Sequence, residues 1–529
     1  MHRRACSVAA LAATALAAVA AAPAVATSGI GTGPSTTKSP YVLPAANGVF
    51  VKSLFTTGDL PAGNGYRYVG IPDGLGAQRD GDDILVYNNH ELGNTAGAVR
   101  RHGQKGSFVS KLRIDRRTLK VESGSDLINP GAQYWDYVGQ SWSGLPSPGG
   151  INPRNPADTF QAQSAAFNRF CSSSLTDPGQ LYNRRSGRGY TGQIYFANEE
   201  GGDESRLFGV TEDGDAKQLP RLGLFSWENT LATDTRSDLT LVHGQEDGPG
   251  NGSQVWVYLG KKTKSGDAFK RAGLTNGTSF VLDASDSAVK NDAQFRSTYG
   301  VGTPADVELK EVDWDASGKR QNEEAIADGL ALNRVEDGTW DPRHPDTFYF
   351  VTTEGKPYPA SPGVPSRDGG GLWKLTYEDI QNPELGGTLE LLLDGSEAPY
   401  LNKPDNVGID RNGNLLIQED PGGNDHLARI VAYDVDTGDR GVVAQADPAT
   451  FAPGAAKPDS TTDEESSGII DAQGLIGRGW WLFDFQNHKA YPTAGATGWA
   501  ADPTGEIVQF GQLLALKVSD WGDVYTIDG

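Results

Sequence analysis

The stretch Ile84-Leu85-Val86-Tyr87-Asn88-Asn89-His90-Glu91 starts as an apolar run and ends on polar and acidic residues. Four apolar positions behind the turn Gly81-Asp82-Asp83 suit a buried strand and are too few for a helix. The form recurs. Ile194-Tyr195-Phe196 ends at Asn198-Glu199-Glu200, and Leu239 to Val242 ends at Gln245-Glu246-Asp247. Phe348 to Val351 ends at Glu354, and Leu415-Leu416-Ile417 ends at Glu419-Asp420. Trp481-Leu482-Phe483 runs through Asp484 to Gln486-Asn487-His488.

Each strand is preceded, roughly 10 to 25 positions upstream, by a turn that carries an acidic or soft residue. These residues are Asp73, Cys171, Glu228, the pair Glu336-Asp337, Asp405 and Glu465. Six copies of a turn-plus-strand unit predict an all-β fold, a six-bladed β-propeller with rim insertions, with five or seven blades as alternatives. Long insertions, such as Glu122 to Gly192, are expected to sit on the rim. In a propeller the entry turns of the innermost strands meet at one mouth of the channel, so a residue type repeated there marks one locus. Helical periodicity is scarce, and Glu323 to Leu332 is the best short candidate. Asp410-Arg411-Asn412-Gly413-Asn414 reads as a hairpin turn, because its Gly comes too early for a calcium loop.

No linker divides the chain, so residues 46–529 are expected to form a single β-propeller domain. Residues 27–45, rich in Gly, Ser, Thr and Pro at their start, read as a flexible N-terminal arm. Residues 1–26 read as a signal peptide: Arg3-Arg4, an apolar run from Ala9 to Ala22, and the cleavage site Ala24-Val25-Ala26. The expected product is secreted or periplasmic, exported through the general or the twin-arginine route. No later stretch reaches membrane-spanning length, so no membrane anchor is expected.

Lys and Arg number 46 against 68 Asp and Glu, a formal charge of −22. Without Arg3 and Arg4 the balance is 44 against 68, or −24. Such a surplus excludes nucleic acid as partner, since phosphate backbones demand clustered Lys and Arg. One of the two cysteines, Cys6, lies in the leader, so Cys171 has no partner for an intrachain disulfide. It is either a small buried residue or a thiolate that binds metal or attacks substrate.

Converging carboxylates repel one another and raise each other's pKa unless cations separate them. Calcium accepts six to eight oxygen ligands and suits such a ring. A thiolate in an oxygen-rich cluster points to a second, softer metal, iron or zinc. With only His90, His102, His243, His344, His426 and His488 outside the leader, a His-rich zinc centre is not expected. His90 is either a ligand or a structural hydrogen-bonding residue. Taken singly, each acid is equally at home as a turn residue or cap. No G-x-S-x-G elbow, P-loop or zincin helix is present.

Asn89-His90-Glu91 followed by Arg100, the pairing of Cys171 with Glu199-Glu200, Arg334-Val335-Glu336-Asp337, and Asp405-Asn406 together resemble the PhoX-type alkaline phosphatases. The likeness runs from about Gly70 to His488. Gly223 to Asn229, Ala272 to Gly277, Ile417 to Gly422 and Asp463 to Ile470 are similar to a secreted, phytase-like subgroup. The resemblance implies a six-bladed propeller with Ca2+ and Fe3+ at the channel mouth. It implies Cys171 as iron ligand, with Glu91, Glu199, Glu200, Glu228, Glu336, Asp337, Asp405 and Glu465 available for iron or calcium. Glu91, Cys171 and Arg334 would serve catalysis; Arg334, Arg100 and Lys403 are either hydrogen-bond donors to phosphate or solvated surface cations. The implied function is a secreted metal-dependent phosphomonoesterase or phosphodiesterase, acting as a monomer on a small phosphate ester. A calcium-dependent lactonase or esterase, and a non-catalytic calcium-stabilised binding propeller, are the alternatives. Two departures stand out: the family's Trp-Gly-Thr-Trp stretch is replaced by Gln180 to Gln193, and its Arg-Pro-Glu-Trp turn by Arg334 to Asp337.

Overall fold

The computed structural model describes residues 29–529 except 62, 363–364, 423–425, 456–458 and 497. The expected signal peptide, residues 1–26, lies outside the described residues. The chain is all-β in a propeller-like arrangement. Antiparallel hairpins follow one another along the sequence, as expected of short apolar runs separated by Gly, Asp and Asn turns.

Four separate sheets have four or five strands. The first holds Pro72–Asp80, Asp83–His90, Phe108–Asp115 and Val121–Asp126. The second begins with Phe170–Leu175 and Ile194–Glu199. Another begins with Pro404–Ile409 and Asn414–Glu419, and the last with Glu464–Asp471 and Trp480–Ala490. Between them lies a nine-stranded sheet with Trp227–Thr233 at one edge and Val335–Trp340 at the other, joined through Ala305–Val312. The six inner strands contact one another in sequence order: 72–80, 170–175, 227–233, 335–340, 404–409 and 464–471, and the last touches the first.

The core is distributed between neighbouring sheets. Tyr87 and Val109 of the first sheet pack against Tyr195 and Phe208 of the second. Tyr349 and Val351 pack against Leu415 and Ile417, and Ile430 and Ala432 against Trp481 and Phe483. Each sheet therefore buries apolar side chains on both faces, which explains why the apolar runs are continuous and not alternating.

Val49–Thr56 pairs antiparallel with Gln509–Val518 in the last sheet, so segments far apart in sequence close the ring. The described part of the expected arm is laid along sheet edges: Gly29–Thr32 runs parallel to Val49–Thr56, and Val42–Pro44 pairs with Arg440–Ala446. Unpaired edge strands and a backbone free to hydrogen-bond account for this order in a Gly- and Thr-rich stretch. The helix expected at Glu323 to Leu332 spans Gly318–Asp328, because Ser317 caps Arg320 N and Gly329 ends it. The Asn-Gly turn is as expected: Gly413 has φ 92° between Pro404–Ile409 and Asn414–Glu419.

Candidate metal centre

Five inner strands carry the same irregularity near their start. Two residues face one on the partner strand, a β-bulge: 73–74, 171–172, 228–229, 336–337 and 405–406. A bulge re-aims the side chains of both extra residues. The first of each pair, Asp73, Cys171, Glu228, Glu336 or Asp405, contributes to a cluster at the mouth of the ring. The second is Gly74, Ser172, Asn229, Asp337 or Asn406. In four of the five strands the residue two positions before the cluster residue has a left-handed backbone: Ile71 (φ 52°), Arg169 (45°), Arg334 (55°) and Lys403 (48°).

The second bulge residues form a polar floor beneath the clusters. Asn229 Nδ2 donates to Asp337 Oδ1 and to Ser172 Oγ (3.2 Å), and Asn406 Nδ2 donates to Ser172 Oγ (3.3 Å). The Gly468 amide donates to Asn406 Oδ1 (3.1 Å) and the Val407 amide to Asp337 Oδ2 (3.3 Å). Gly74 is required here, since a Cβ would lie 2.2 Å from Ser173 N. A cavity of about 730 Å³ opens beyond the other ends of the inner strands around Thr176, Arg236 and Trp340, and shares no residue with the clusters.

The clusters are two triads, each with one ligand atom per residue lying within 4.8 Å of the others. Asp73, Glu91 and Cys171 form one; Glu228, Glu336 and Asp405 form the other. The Cys171 thiol donates to Asp73 Oδ2 (3.3 Å). Gln486 Nε2 reaches Asp73 Oδ2 (3.1 Å), Glu91 Oε2 (3.4 Å) and Glu465 Oε1 (3.2 Å). Burial, then repulsion from Glu465 and Glu91, pushes Asp73 well above the carboxylate range. Burial and the charge of Asp73 raise the Cys171 thiol likewise. In the second triad burial leads again, followed by mutual repulsion of Glu228, Glu336 and Asp405 for Glu228, and by Asp247 for Glu336. Asp73 Oδ1 and Glu228 Oε1 are buried and have no hydrogen-bond partner among the described residues. Buried acidic groups converging in threes, with an orphaned carboxylate oxygen in each triad, fit cation binding. The first triad offers sulfur with oxygen and the second oxygen alone.

The ends of the second strands supply a flanking shell, and the two-residue period of a strand decides which acid takes part. Glu200 faces the site and Glu199 does not. Glu199 is fully paired with buried Arg206 (2.6 Å from Nε and 2.6 Å from Nη2) and accepts the Asn168 amide. The same alternation sets Asp420 beside Lys403 and His488 at the site, while Glu419 pairs with Arg429 (2.7 Å). His90 is likewise turned into its sheet, between Gly70 O (3.2 Å), Ser110 Oγ (3.1 Å) and the Phe108 ring, and burial lowers it to about 3. His488 is the histidine at the site, 3.4 Å from Glu465. Burial opposes its charge, yet Glu465, Glu91 and Asp420 raise it to about 9. Burial raises Glu465 to about 7, and burial plus Glu91 raises Glu200 to about 8.

Two arginines bracket the triads. Arg334 sets Nε and Nη2 on Asp247 (2.8 and 2.8 Å), and Nη2 lies 3.2 Å from Glu336. Arg169 sets Nε (3.1 Å) and Nη2 on Glu200 Oε2, and Nη2 lies 2.6 Å from Glu91 Oε1.

Of the residues expected from sequence, Glu91, Cys171, Glu228, Glu336 and Asp405 meet in the triads, with Glu200, Glu465 and Arg334 beside them. Glu199 and Asp337 are placed elsewhere: Glu199 inside its sheet, Asp337 in the hydrogen-bonded floor. Arg100 is also drawn away from the mouth, buried between Asp126 and Glu506 and stacked on Phe108. Sequence reasoning left Arg169, Asp247, Asp420, Gln486 and His488 without roles. For Arg169 the available signal was its position, two residues before Cys171 as Arg334 is before Glu336.

The family model described as Alkaline phosphatase PhoX matches residues 198–467. No curated protein sequence matches the chain. Among solved structures, Pseudomonas fluorescens PhoX in complex with vanadate, a transition state analogue, superposes with a TM-score of 0.60 at 12% identity, covering 90% of this chain and 98% of that one. Looser likenesses include Kuenenia stuttgartiensis hydrazine synthase (TM-score 0.35, 10% identity, 80% and 95% covered). The PQQ-bound aldose sugar dehydrogenase of Streptomyces coelicolor is another (TM-score 0.32, 11% identity, 90% and 99% covered).

Proposed function

Because this chain belongs to the alkaline phosphatase PhoX family, we propose that it is a metal-dependent phosphoric ester hydrolase, acting on phosphomonoesters or phosphodiesters. The observation that carries this is the pair of buried triads at one mouth, each flanked by an arginine. Asp73, Glu91 and Cys171 would hold iron, for which a thiolate is a fitting ligand, and Glu228, Glu336 and Asp405 would hold calcium. Bound there, the metals would supply Lewis-acid stabilisation of the phosphoryl oxygens and an activated oxygen nucleophile. Glu465 and Glu200 would complete or steady the ligand set.

The chain's own groups do the rest. Asp247 fixes the Nε edge of Arg334, and Nη1, 3.9 Å from the partly exposed carboxylate of Glu354, would exchange that ion pair for a phosphoryl oxygen. The floor of Ser172, Asn229, Asp337 and Asn406 closes the channel below, so substrate enters and product leaves by the mouth. Hydrolysis breaks the phosphorus–oxygen ester bond. Water supplies the incoming oxygen, and the departing alkoxide takes up a proton.

The sheet arrangement supports reading the nine-stranded sheet as two blades fused by Ala305–Val312, which gives six blades with one inner strand each. No helix among the described residues is long and apolar enough to cross a membrane. The leader composition supports export, and the chain would act as a monomer outside the cytoplasm. The test is hydrolysis of aryl phosphomonoesters and diesters by metal-reconstituted protein from about pH 6 to about pH 11. Turnover of neither class across that range refutes the reading.

A further inference from the structure

Arg169 and Arg334 are placed alike in the fold. Each has a left-handed backbone two residues before a triad member on an inner strand. Each rests its Nε and Nη2 on an acid at the end of a second strand, Glu200 for Arg169 and Asp247 for Arg334. Each also brings Nη2 to a carboxylate of the adjoining triad, Glu91 (2.6 Å) or Glu336 (3.2 Å). In Arg169 these contacts use one edge of the guanidinium, and Nη1 makes no hydrogen bond among the described residues. The Arg169 side chain is 49% exposed, and that of Arg334 28%. Glu200 interacts electrostatically with both Glu91 and Asp247, which places both anchors around one site.

A guanidinium is a planar fork whose two edges bind independently, so anchoring one edge on carboxylates aims the other. We propose that Arg169 is a second phosphate clamp, the internal counterpart of Arg334, and that its Nη1 holds a non-bridging oxygen of the substrate phosphoryl group. The proposal rests on the phosphate-ester reading above. An anion held between two such forks would be gripped from the side of each triad, which suits a tetrahedral group with several equivalent oxygens better than a planar carboxylate or a lactone. A lysine at position 169 would keep the positive charge between Glu91 and Glu200 and lose the outward edge.

The test is calorimetric binding of inorganic phosphate to metal-reconstituted wild-type protein and to Arg169→Lys and Arg169→Ala, with bound metals counted by elemental analysis. A charge-assisted hydrogen bond sets the expected size: Kd for phosphate rises roughly 10- to 100-fold in both variants. Metal content and melting temperature of the Lys variant stay at wild-type levels. Phosphate affinity within about twofold of wild type in Arg169→Lys overturns the clamp. So does a fall in affinity that tracks loss of metal, since Arg169 would then only position Glu91 and Glu200. Wild-type protein that binds phosphate through Arg169 and hydrolyses no ester leaves the clamp standing and refutes the hydrolase reading. Ester hydrolysis with unaltered phosphate binding in Arg169→Lys does the reverse.

Discussion

Glu199 and Glu200 are neighbours in sequence on opposite faces of a strand end, and their substitution should have opposite consequences. Glu199 neutralises Arg206 in the interior, with side-chain exposures of 4% and 4%. Glu199→Gln leaves that guanidinium buried with its charge uncompensated, and should cost about 3–5 kcal/mol in denaturant unfolding. Glu200→Gln removes a carboxylate that burial and Glu91 already disfavour in the metal-free protein. It should therefore leave metal-free stability within about 1 kcal/mol of wild type while lowering ester turnover of the reconstituted enzyme. Cys171 is tested by its sulfur. Cys171→Ser should lose iron and keep calcium by elemental analysis, because the second triad consists of oxygen ligands alone. Retention of a full iron complement would remove the thiolate from the ligand set. Much at this scale was legible: the matching turns held Asp73, Cys171, Glu228, Glu336 and Asp405, five of the six triad residues. Asp73 was not in the expected ligand set, however, and the sixth, Glu91, ends a second strand and was expected only from the family resemblance. The Glu199 assignment failed for an avoidable reason, because a two-residue period lets only one of two adjacent acids face the mouth.

At the scale of the element, the unit that builds the site is the bulge at the start of the inner strand. The sequence shows these segments as turns rich in Asp, Glu, Asn and Gly, and their recurrence was readable. That each is a two-on-one bulge was not, because a bulge is defined by pairing with a second strand far along the chain, as between Pro72–His90 and Leu75–Asn88. The bulge geometry also explains Asp337. As the second residue it points to the floor, where Asn229 and two backbone amides bind it. Gly74→Ala probes this element directly. A methyl 2.2 Å from Ser173 N and 2.4 Å from Ser172 C must push the first and second inner strands apart. The expected result is a lower melting temperature together with loss of metal, measured by calorimetry and elemental analysis. Full metal occupancy in Gly74→Ala would show that the bulge does not set the spacing of Asp73 and Cys171.

For the whole molecule, the acidic surplus couples the site to stability. Glu200, raised to about 8 by burial and Glu91, and Glu465, raised to about 7 by burial, have ordinary values of 4.5. The folded metal-free protein thus holds more protons than the unfolded chain between about pH 4.5 and pH 8. Their contribution is fully present below that window and is lost as pH rises through it. Chelated protein should melt at progressively lower temperature from about pH 5 to about pH 8. Added calcium should raise the melting temperature and flatten the trend, since a cation that binds only the folded state stabilises it. A chelated protein that grows more stable over this range would refute the repulsive cluster. The ring itself also has a history written into its last sheet, where Val49–Thr56 waits for Gln509–Val518 and Gln486 reaches across to Asp73 and Glu91. During synthesis Asp73, Glu91 and Cys171 emerge hundreds of residues before the segments that hold them together. On the proposed reading, a chain truncated before Gln509–Val518 should take up no metal at the first triad, a result that elemental analysis would check.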